Sequence, residues 1–350
     1  MSSIKDVAKL AGVSIGTVSN VINQTRYVSP DKVILVNKAI NELNFRVNTI
    51  ASSMKAKKTN TIGLVATNIT RVFYSHVING MQRAATKNGI TLSIQSTYNN
   101  LQAEKDAIDR FCSNMVDAII LDTSADISDM DYFIKLSSLK NNSKQIPVMS
   151  IENNLAQYGI NSIYIDGMQS SETATGHLIS IGCRRIVHIK GPESSCLSRE
   201  RLIGYKKALV NADLIVDENF ILSGDFSQHS GYIAMKEFIE KGYEFDGVFA
   251  ANDQMIIGAC KAIQQSGRSV PNDVKLVGFD NSFVASIFSP SITTIDVPKD
   301  LMGFLAVDEL SKILENGSFS QCLSICLPTN LIIRESSDKN AQIEKVTYEW

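Results

Sequence analysis

The sequence predicts an α/β protein with a small all-α head and a larger body of two doubly wound parallel-sheet lobes. Two observations lead to this class. In the first sixty residues the apolar side chains recur at helical spacing only. From residue 61 onward, short apolar runs alternate with helical patterns, in two successive series. Such alternation predicts parallel sheets with helices on both faces, and two series predict two lobes with a cleft between them.

The head begins with IKDVAKLAGVSIGTVSNVIN, residues 4–23, in which two apolar stripes predict two short helices. Gly12 can take the positive φ that ends the first helix, and Ser14 can cap the second. This is a helix-turn-helix pattern. Its second helix would present small and polar side chains to a major groove. Any amphipathic helical hairpin shows the same spacing, so the spacing alone leaves both interpretations open.

A third helix is predicted after Ser29 and Pro30, a capping residue followed by the residue best tolerated at the first helical position. Its apolar residues would close the core of the head. Residues 48–60 follow as a helix-compatible piece with three clustered lysines, which by composition alone would pass for a linker.

Charge is divided unevenly along the 350 residues. Residues 1–60 carry nine lysines and arginines against three acidic residues, a net charge of +6, whereas the remainder has 25 basic and 33 acidic residues, a net charge of −8. The head is therefore the part suited to a polyanion. The chain shows no bilayer-length apolar run and no signal-peptide core, so we expect a cytoplasmic protein with no membrane partner.

Eight β-rich runs mark the body. The first series comprises residues 62–67, 90–95, 117–122 and 146–151, and the second comprises 185–190, 220–224, 247–251 and 274–279. Six scattered cysteines form no C-x-x-C pair, and the four histidines show no metal-ligand or nucleophile-elbow spacing. We therefore expect no cofactor, no metal site and no catalytic residue, and the chain is not expected to be an enzyme.

The segments IKDVAKLAGVS, TVSNVIN, VSPDKVILVNKAINELNFRVN and NTIASSM follow one another through Met54. In this order they resemble the headpiece of the lactose-repressor and galactose-repressor (LacI/GalR) family of bacterial transcription regulators. The stretches ATGHLISIGCRRIVHIKGP, GVFAANDQMIIGACKAIQQSGRSVPNDVKLVGFDNS and LPTNLIIRES resemble the family's effector domain, so the resemblance extends to about Ser336. It implies a periplasmic-binding-protein-like core that binds a small molecule between its lobes.

The resemblance implies a helix-turn-helix headpiece at 1–47, a hinge helix and linker at 48–60, a core at 61–337 and a tail at 338–350. The chain would cross between lobes near Tyr164–Asp166, Pro290 and Gln321. The first lobe would then hold 61–164 and 291–320, and the second 165–290 and 321–337, with LPTNLIIRES as an edge strand of the second.

The residues expected to contact DNA, by the resemblance and by the outward face of the second helix, are Ser14, Ile15, Gly16, Thr17, Ser19, Asn20, Asn23, Arg26 and Met54. Met54 stands where the family usually has the leucine of a hinge helix, and methionine can act as a minor-groove wedge. Asn20 replaces the usual arginine after TVS. Because arginine reads guanine and asparagine suits adenine, operator preference should be shifted. Gly16 removes a base contact.

The residues expected to bind the effector are Phe73, Tyr74, Arg201, Asn252 and Asp280. Phe73 could instead be a core residue at the start of its helix, and Asn252 could be only a helix cap. Arg201 and Asp280 match the family's guanidinium and carboxylate that grip the effector. Asp253 is expected to be a structural cap, and Asp166 to orient the lobe crossover.

The expected function is that of a dimeric, sequence-specific DNA-binding transcription regulator that acts as a repressor. Its affinity for double-stranded operator DNA would be set allosterically by a sugar or sugar derivative. The alternative is a periplasmic-type solute-binding protein, which the basic head and the missing signal peptide oppose.

Overall fold

The computed structural model of the chain describes residues 2–23, 26–45, 58–141, 144–317 and 322–341. It divides into two compact units, Met1–Thr59 and Asn60–Trp350. No helix in the described ranges combines the length and the apolar character that a bilayer span requires.

The first unit starts with α1 (Ile4–Ala11), whose N-terminus carries a reciprocal cap. The Ser3 hydroxyl accepts the Asp6 amide, while the Asp6 carboxylate accepts the Ser3 amide at 2.7 Å. The helix ends at Gly12, where φ is +66°. A side chain at such a φ would be strained, so the predicted glycine stop is the residue that the turn requires.

α2 (Ile15–Asn23) begins after Ser14, whose hydroxyl accepts the Thr17 amide at 3.1 Å. α3 (Pro30–Glu42) closes the unit, although the Ser29 side chain makes no capping hydrogen bond. The predicted helix-turn-helix and third helix are confirmed. The buried residues of this core, within the described part of the head, are Val7, Ala8, Ala11, Val18, Val36 and Ala39.

The second unit holds two six-stranded sheets. In the first lobe, all strands are parallel in the order β13-β7-β6-β3-β1-β2. These strands are β1 (Thr61–Ala66), β2 (Thr91–Ser96), β3 (Ala118–Leu121), β6 (Val148–Glu152), β7 (Asn161–Ile165) and β13 (Ser324–Leu327). The helices of this lobe are α4 (Phe73–Asn88), α5 (Leu101–Ser113), α6 (Met130–Ser137) and α12 (Lys299–Asn316). The short strands β4 (Lys140–Asn141) and β5 (Lys144–Gln145) pair separately, and a 3₁₀ turn spans Ala156–Tyr158.

In the second lobe the order is β14-β12-β11-β10-β8-β9, with only β14 antiparallel. The strands are β8 (Ile186–Lys190), β9 (Ile221–Ser223), β10 (Gly247–Ala250), β11 (Lys275–Asp280), β12 (Thr293–Asp296) and β14 (Asn330–Ile332). The helices are α7 (Gly167–Ser180), α8 (Cys196–Asn211), α9 (Gln228–Glu240), α10 (Asp253–Gln265) and α11 (Phe283–Ile287), with a 3₁₀ turn at Glu218–Phe220. The predicted fold class is confirmed, and each of the eight predicted runs forms a strand.

The chain passes from one sheet to the other at residues 165–167, 296–299 and 327–330. The predicted crossings near Pro290 and Gln321 are therefore too early. Strand β12 pairs with β11 in the second sheet, so residues 291–296 lie in the second lobe. Strand β13 pairs with β7 in the first sheet, so the chain crosses to the second lobe for the last time only after β13. LPTNLIIRES does contribute the edge strand β14, over three residues.

Candidate functional site

The outward face of α2 presents small and uncharged side chains. Ile15 is 45% exposed, and Gly16 and Asn23 are exposed on the same helix. The half-buried members of the predicted set are Thr17, Ser19 and Asn20. This face can make van der Waals and hydrogen-bond contacts, but it offers no charge to a phosphate.

Several of these polar side chains are fixed within the head. The hydroxyls of Ser14 and Thr17 are 2.9 Å apart at the start of α2. The Asn23 amide donates to the Ser19 hydroxyl at 3.2 Å, one turn earlier. Ser14 and Thr17 therefore serve the helix terminus, whereas the more exposed Ile15 and Asn23 project from the surface.

Beyond α2, Arg26 and Tyr27 are exposed, and 90% of the Tyr27 surface is accessible. Tyr27 was not among the predicted residues. The signal for it was present: a large aromatic side chain in the polar segment between two helices, beside an arginine. Met54 and most of the predicted hinge helix lie outside the described residues.

In the second unit, a cluster of polar side chains gathers at the carboxyl ends of β1, β3 and β6. Asp122 follows β3 and accepts hydrogen bonds from the Tyr74 hydroxyl, the Thr67 hydroxyl and, at 3.3 Å, the Thr67 amide. Carboxyl ends of parallel strands meet at one edge, which is where open α/β sheets bind ligands.

Arg71 lies in the turn before α4 and is only 8% exposed. Its Nη1 atom is 3.3 Å from Oε2 of the buried Glu152, the last residue of β6. Three aromatic rings surround the guanidinium with centroids 5.2–5.8 Å away, and they belong to Phe73, Tyr74 and Phe226. An ion pair and three rings together fix the plane of this group.

Arg201, on α8, is 1% exposed and lies on the Phe279 ring, 3.8 Å from its centroid. Its Nη1 donates to the Ala251 carbonyl, and its Nη2 is 3.7 Å from Oδ1 of Asp280. Asp280 has a φ of +103°, which a non-glycine residue adopts only when its surroundings enforce it. Such strain is typical of ligand-binding positions.

Burial shifts the pKa values of Asp122, Asp280 and Arg201 toward their neutral forms. It raises the pKa of Asp122 to about 7, aided by the nearby Glu152, and it also raises the pKa of Asp280. It lowers the pKa of Arg201 despite the adjacent Asp280. Keeping each of these three groups charged in the cleft therefore costs free energy.

Some buried polar atoms here have no hydrogen-bond partner among the described residues. They are Nε and Nη2 of Arg71, Nε of Arg201, Oδ1 of Asp280 and Oγ of Ser124. Buried donors and acceptors in native proteins are nearly always paired. Unpaired polar atoms near the ends of the strands are therefore suited to hydrogen bonding with a polar ligand.

A narrow cavity of about 50 Å³, partly open to solvent, lies between the lobes. Its lining residues come from both lobes and include Thr67, Arg71, Asp122, Ser124, Asn153, Ser195, Leu197 and Phe226. Polar contacts join the lobes: the Val72 amide donates to Oε1 of Gln254 at 3.3 Å, and Arg199 Nη1 is 3.0 Å from Oδ2 of Asp126.

None of the five predicted effector-binding residues lines this cavity. Tyr74 reaches it indirectly, by donating to the lining carboxylate of Asp122. Phe73 is 2% exposed and packs in the core of the first lobe, as its alternative interpretation held. Arg201 and Asp280 are buried, with unpartnered atoms.

The predicted cleft role of Asn252 disagrees with its geometry. Its Oδ1 accepts the Met255 amide at 2.9 Å, and its Nδ2 donates to the Phe226 carbonyl at 2.9 Å. Asn252 is therefore the cap of α10. Asp253 is structural, but it ties Thr294 and Ser282 to the helix instead of capping it.

Asp166 caps α7 through the Gln169 amide at 2.8 Å, next to the first crossover. Arg71, Asp122, Glu152 and Phe226 were missed as site residues. Three of them lie at or just after the carboxyl end of a predicted strand, and that shared position could have identified them.

Comparison with known proteins gives two family matches. The model described as bacterial regulatory proteins, lacI family, matches residues 3–48, and the periplasmic binding protein-like domain matches residues 175–337. The "HTH-type transcriptional repressor PurR" of Vibrio atlanticus is 34% identical over 303 residues, 87% of this chain and 89% of that protein. PurR of Klebsiella pneumoniae is 33% identical over 93% of this chain and 94% of its own.

Two solved structures share the fold. The lac repressor dimer bound to operator and the anti-inducer ONPF has a TM-score of 0.86 and 28% identity, covering 96% of this chain and 99% of that chain. The complex of the transcriptional regulator CelR with cellobiose has a TM-score of 0.70 and 30% identity, covering 96% and 100%.

Proposed function

The chain belongs to the lacI family of bacterial regulatory proteins, and from that membership we propose a dimeric repressor that reads a pseudo-palindromic operator under the control of a cleft-bound small molecule. It is a DNA-binding transcription regulator. Coupling between cleft and head of about 1–3 kcal/mol would be typical of such control.

The observation that carries the DNA-reading part is the helix-turn-helix with an exposed, uncharged second helix in a basic head. We assign base contacts to Ile15, Asn20 and Asn23, and phosphate contacts to Arg26 and the lysines of the head. Two heads on a two-fold dimer would read two half-sites. Asparagine pairs with adenine through two hydrogen bonds, so we expect an adenine-dependent position in each half-site.

The test is Asn20→Ala, assayed by equilibrium binding to an operator selected from a random DNA library. Loss of a bidentate base contact should weaken specific binding by about 1–3 kcal/mol and relax the preference at one position. Asn41→Ala is the matched control, because Asn41 is an exposed asparagine on α3. Equal affinity of Asn20→Ala and the unsubstituted chain for every sequence would remove Asn20 from the reading surface.

For the effector, a sugar or sugar derivative is the class that we propose. The CelR complex with cellobiose supports this choice, and so do the orphaned donors and acceptors of the cleft. Arg201 and Asp280 are retained as proposed contacts, reached when the lobes separate.

A solute-binding protein without regulatory role is the second candidate, since the body alone matches a periplasmic binding protein-like domain. The helix-turn-helix favours the regulator. We also propose that the chain acts in the cytoplasm, where DNA is, and that it is not an enzyme, because the relatives named above are transcriptional repressors.

A further inference from the structure

One edge of the Arg71 guanidinium is unused. Nη1 faces Glu152, but Nε and Nη2 are buried without a partner. These two nitrogens form the side edge of the group, whose parallel N–H bonds match the two oxygens of a carboxylate or phosphate. A single ligand hydroxyl would satisfy only one of them.

The same cavity meets the start of a long helix. Ser194, Ser195, Cys196 and Leu197 line it together with Arg71, and α8 begins at Cys196. The Ser195 hydroxyl caps only the Ser198 amide, at 3.4 Å. Amides of a first helical turn have no acceptor within the helix, and the helix dipole favours an anion there.

The two carboxyl groups beside Arg71, those of Glu152 and Asp122, do not exclude a further negative charge on a ligand. Glu152 compensates Arg71 from one side only. Asp122 has its Oδ2 occupied by Thr67 and Tyr74, and burial raises its pKa to about 7, so it carries less than a full charge near neutrality.

We propose that the cleft takes an anionic ligand, a sugar derivative bearing a carboxylate or a phosphate, whose oxyanion binds the side edge of Arg71 at the N-terminus of α8. This inference rests on the proposed effector cleft and narrows its ligand class. It also gives a function to Arg71, which was not among the predicted site residues.

The experiment measures the melting temperature and the calorimetric affinity of the full chain with glucose, gluconate, glucose 6-phosphate and inorganic phosphate at matched ionic strength. A ligand that binds only the folded state raises the melting temperature. We expect stabilisation by gluconate or glucose 6-phosphate and none by glucose. The two anions distinguish a carboxylate from a phosphate.

Arg71→Lys keeps the charge but lacks the paired edge, so anion affinity should fall about tenfold to a hundredfold. Arg71→Gln serves as a second variant if the lysine does not fold. Arg185→Lys is the control, because Arg185 is an exposed arginine of the second lobe that pairs with Glu244. It should retain anion binding.

Equal stabilisation by glucose, unchanged anion affinity in Arg71→Lys, or no response to any anion would overturn the proposal. Operator binding is read separately. If Arg71→Lys and the unsubstituted chain bind the operator equally, the regulator assignment stands whatever the ligand result; failure of the unsubstituted chain to bind any selected DNA would count against the regulator assignment itself.

Discussion

Asp122 shows how burial and hydrogen bonding set the charge of a single side chain. It is 2% exposed and holds Tyr74 and Thr67 at the strand edge. Removal from water raises its pKa to about 7 from an ordinary value of 3.8. A carboxyl with a raised folded-state pKa contributes stability that is complete below 3.8 and is lost as pH rises through about 7.

The melting temperature of the second unit should therefore fall between pH 5 and pH 8, and Asp122→Asn should flatten that fall. The loss attributable to Asp122 over this window is about 2–3 kcal/mol. Asp253, whose pKa burial also raises to about 7, affects both proteins equally. The check is thermal unfolding at several pH values.

Asp126→Asn is the control for this pH series, since Asp126 is exposed and hydrogen bonds from Ser128 lower its pKa. It should keep the full slope. If Asp122→Asn has the same slope as the unsubstituted chain, Asp122 is not the titrating group.

The strand ends indicated where buried polar side chains gather, but the sequence did not identify all of these side chains. Arg201 and Asp280, which it did identify, are buried and have atoms without a hydrogen-bond partner. The sequence could not show that the Asn252 side chain hydrogen-bonds to the first turn of α10 and to the Phe226 carbonyl, because asparagine is suited both to capping a helix and to contacting a ligand. Nor could it show that Arg71 reaches Phe226 in the other lobe.

At the scale of elements, paired helices in each lobe cross at glycines. Where α4 meets α12, a Cβ on Gly303 would overlap the Val77 carbonyl, and a Cβ on Gly80 would overlap the Asp300 carbonyl. The pair α9 and α10 repeats this arrangement with its own two glycines. The backbones of the two helices are therefore in direct contact. An added methyl group would meet backbone atoms and not a side chain that could move aside.

Gly303→Ala should destabilise the second unit by about 2 kcal/mol or more, although alanine favours an isolated helix by about 1 kcal/mol. Gly176→Ala is the matched control, since the space around Gly176 is open, and it should be neutral or stabilising. Urea unfolding measures both. Two similar midpoints would mean that the helices separate at little cost.

Three strands near the lobe crossings, β7, β12 and β13, were absent from the predicted runs. The predicted crossing near Pro290 left β12 out of the second lobe. TTID is short and contains two threonines, so it lacks the apolar run that marked the other strands. Thr294 of this strand is buried, and the burial of its hydroxyl is compensated by the hydrogen bond that it donates to Asp253 at 2.7 Å.

For the whole molecule, two units with separate cores imply separate unfolding. Among the described residues the head has six buried apolar side chains, far fewer than the body, so it should be the less stable unit. Val18→Ala should lower the head's transition by about 2 kcal/mol, abolish operator binding and leave the body's transition unchanged.

Differential scanning calorimetry of the full chain checks this expectation. Val248→Ala is the counterpart in the second lobe, where Val248 is equally buried, and it should move only the transition at higher temperature. A single transition that both substitutions shift together would refute the independence of the units.

The contacts of Val72 with Gln254, of Arg199 with Asp126 and of Arg71 with Phe226 have a kinetic consequence. They join the lobes in the absence of any ligand, so a molecule that needs Arg201 or Asp280 must wait for the lobes to part. The observed rate of binding in stopped-flow mixing should then rise with ligand concentration only up to a plateau, which equals the opening rate. Arg199→Ala should raise that plateau, because it removes one of the contacts that opening has to break.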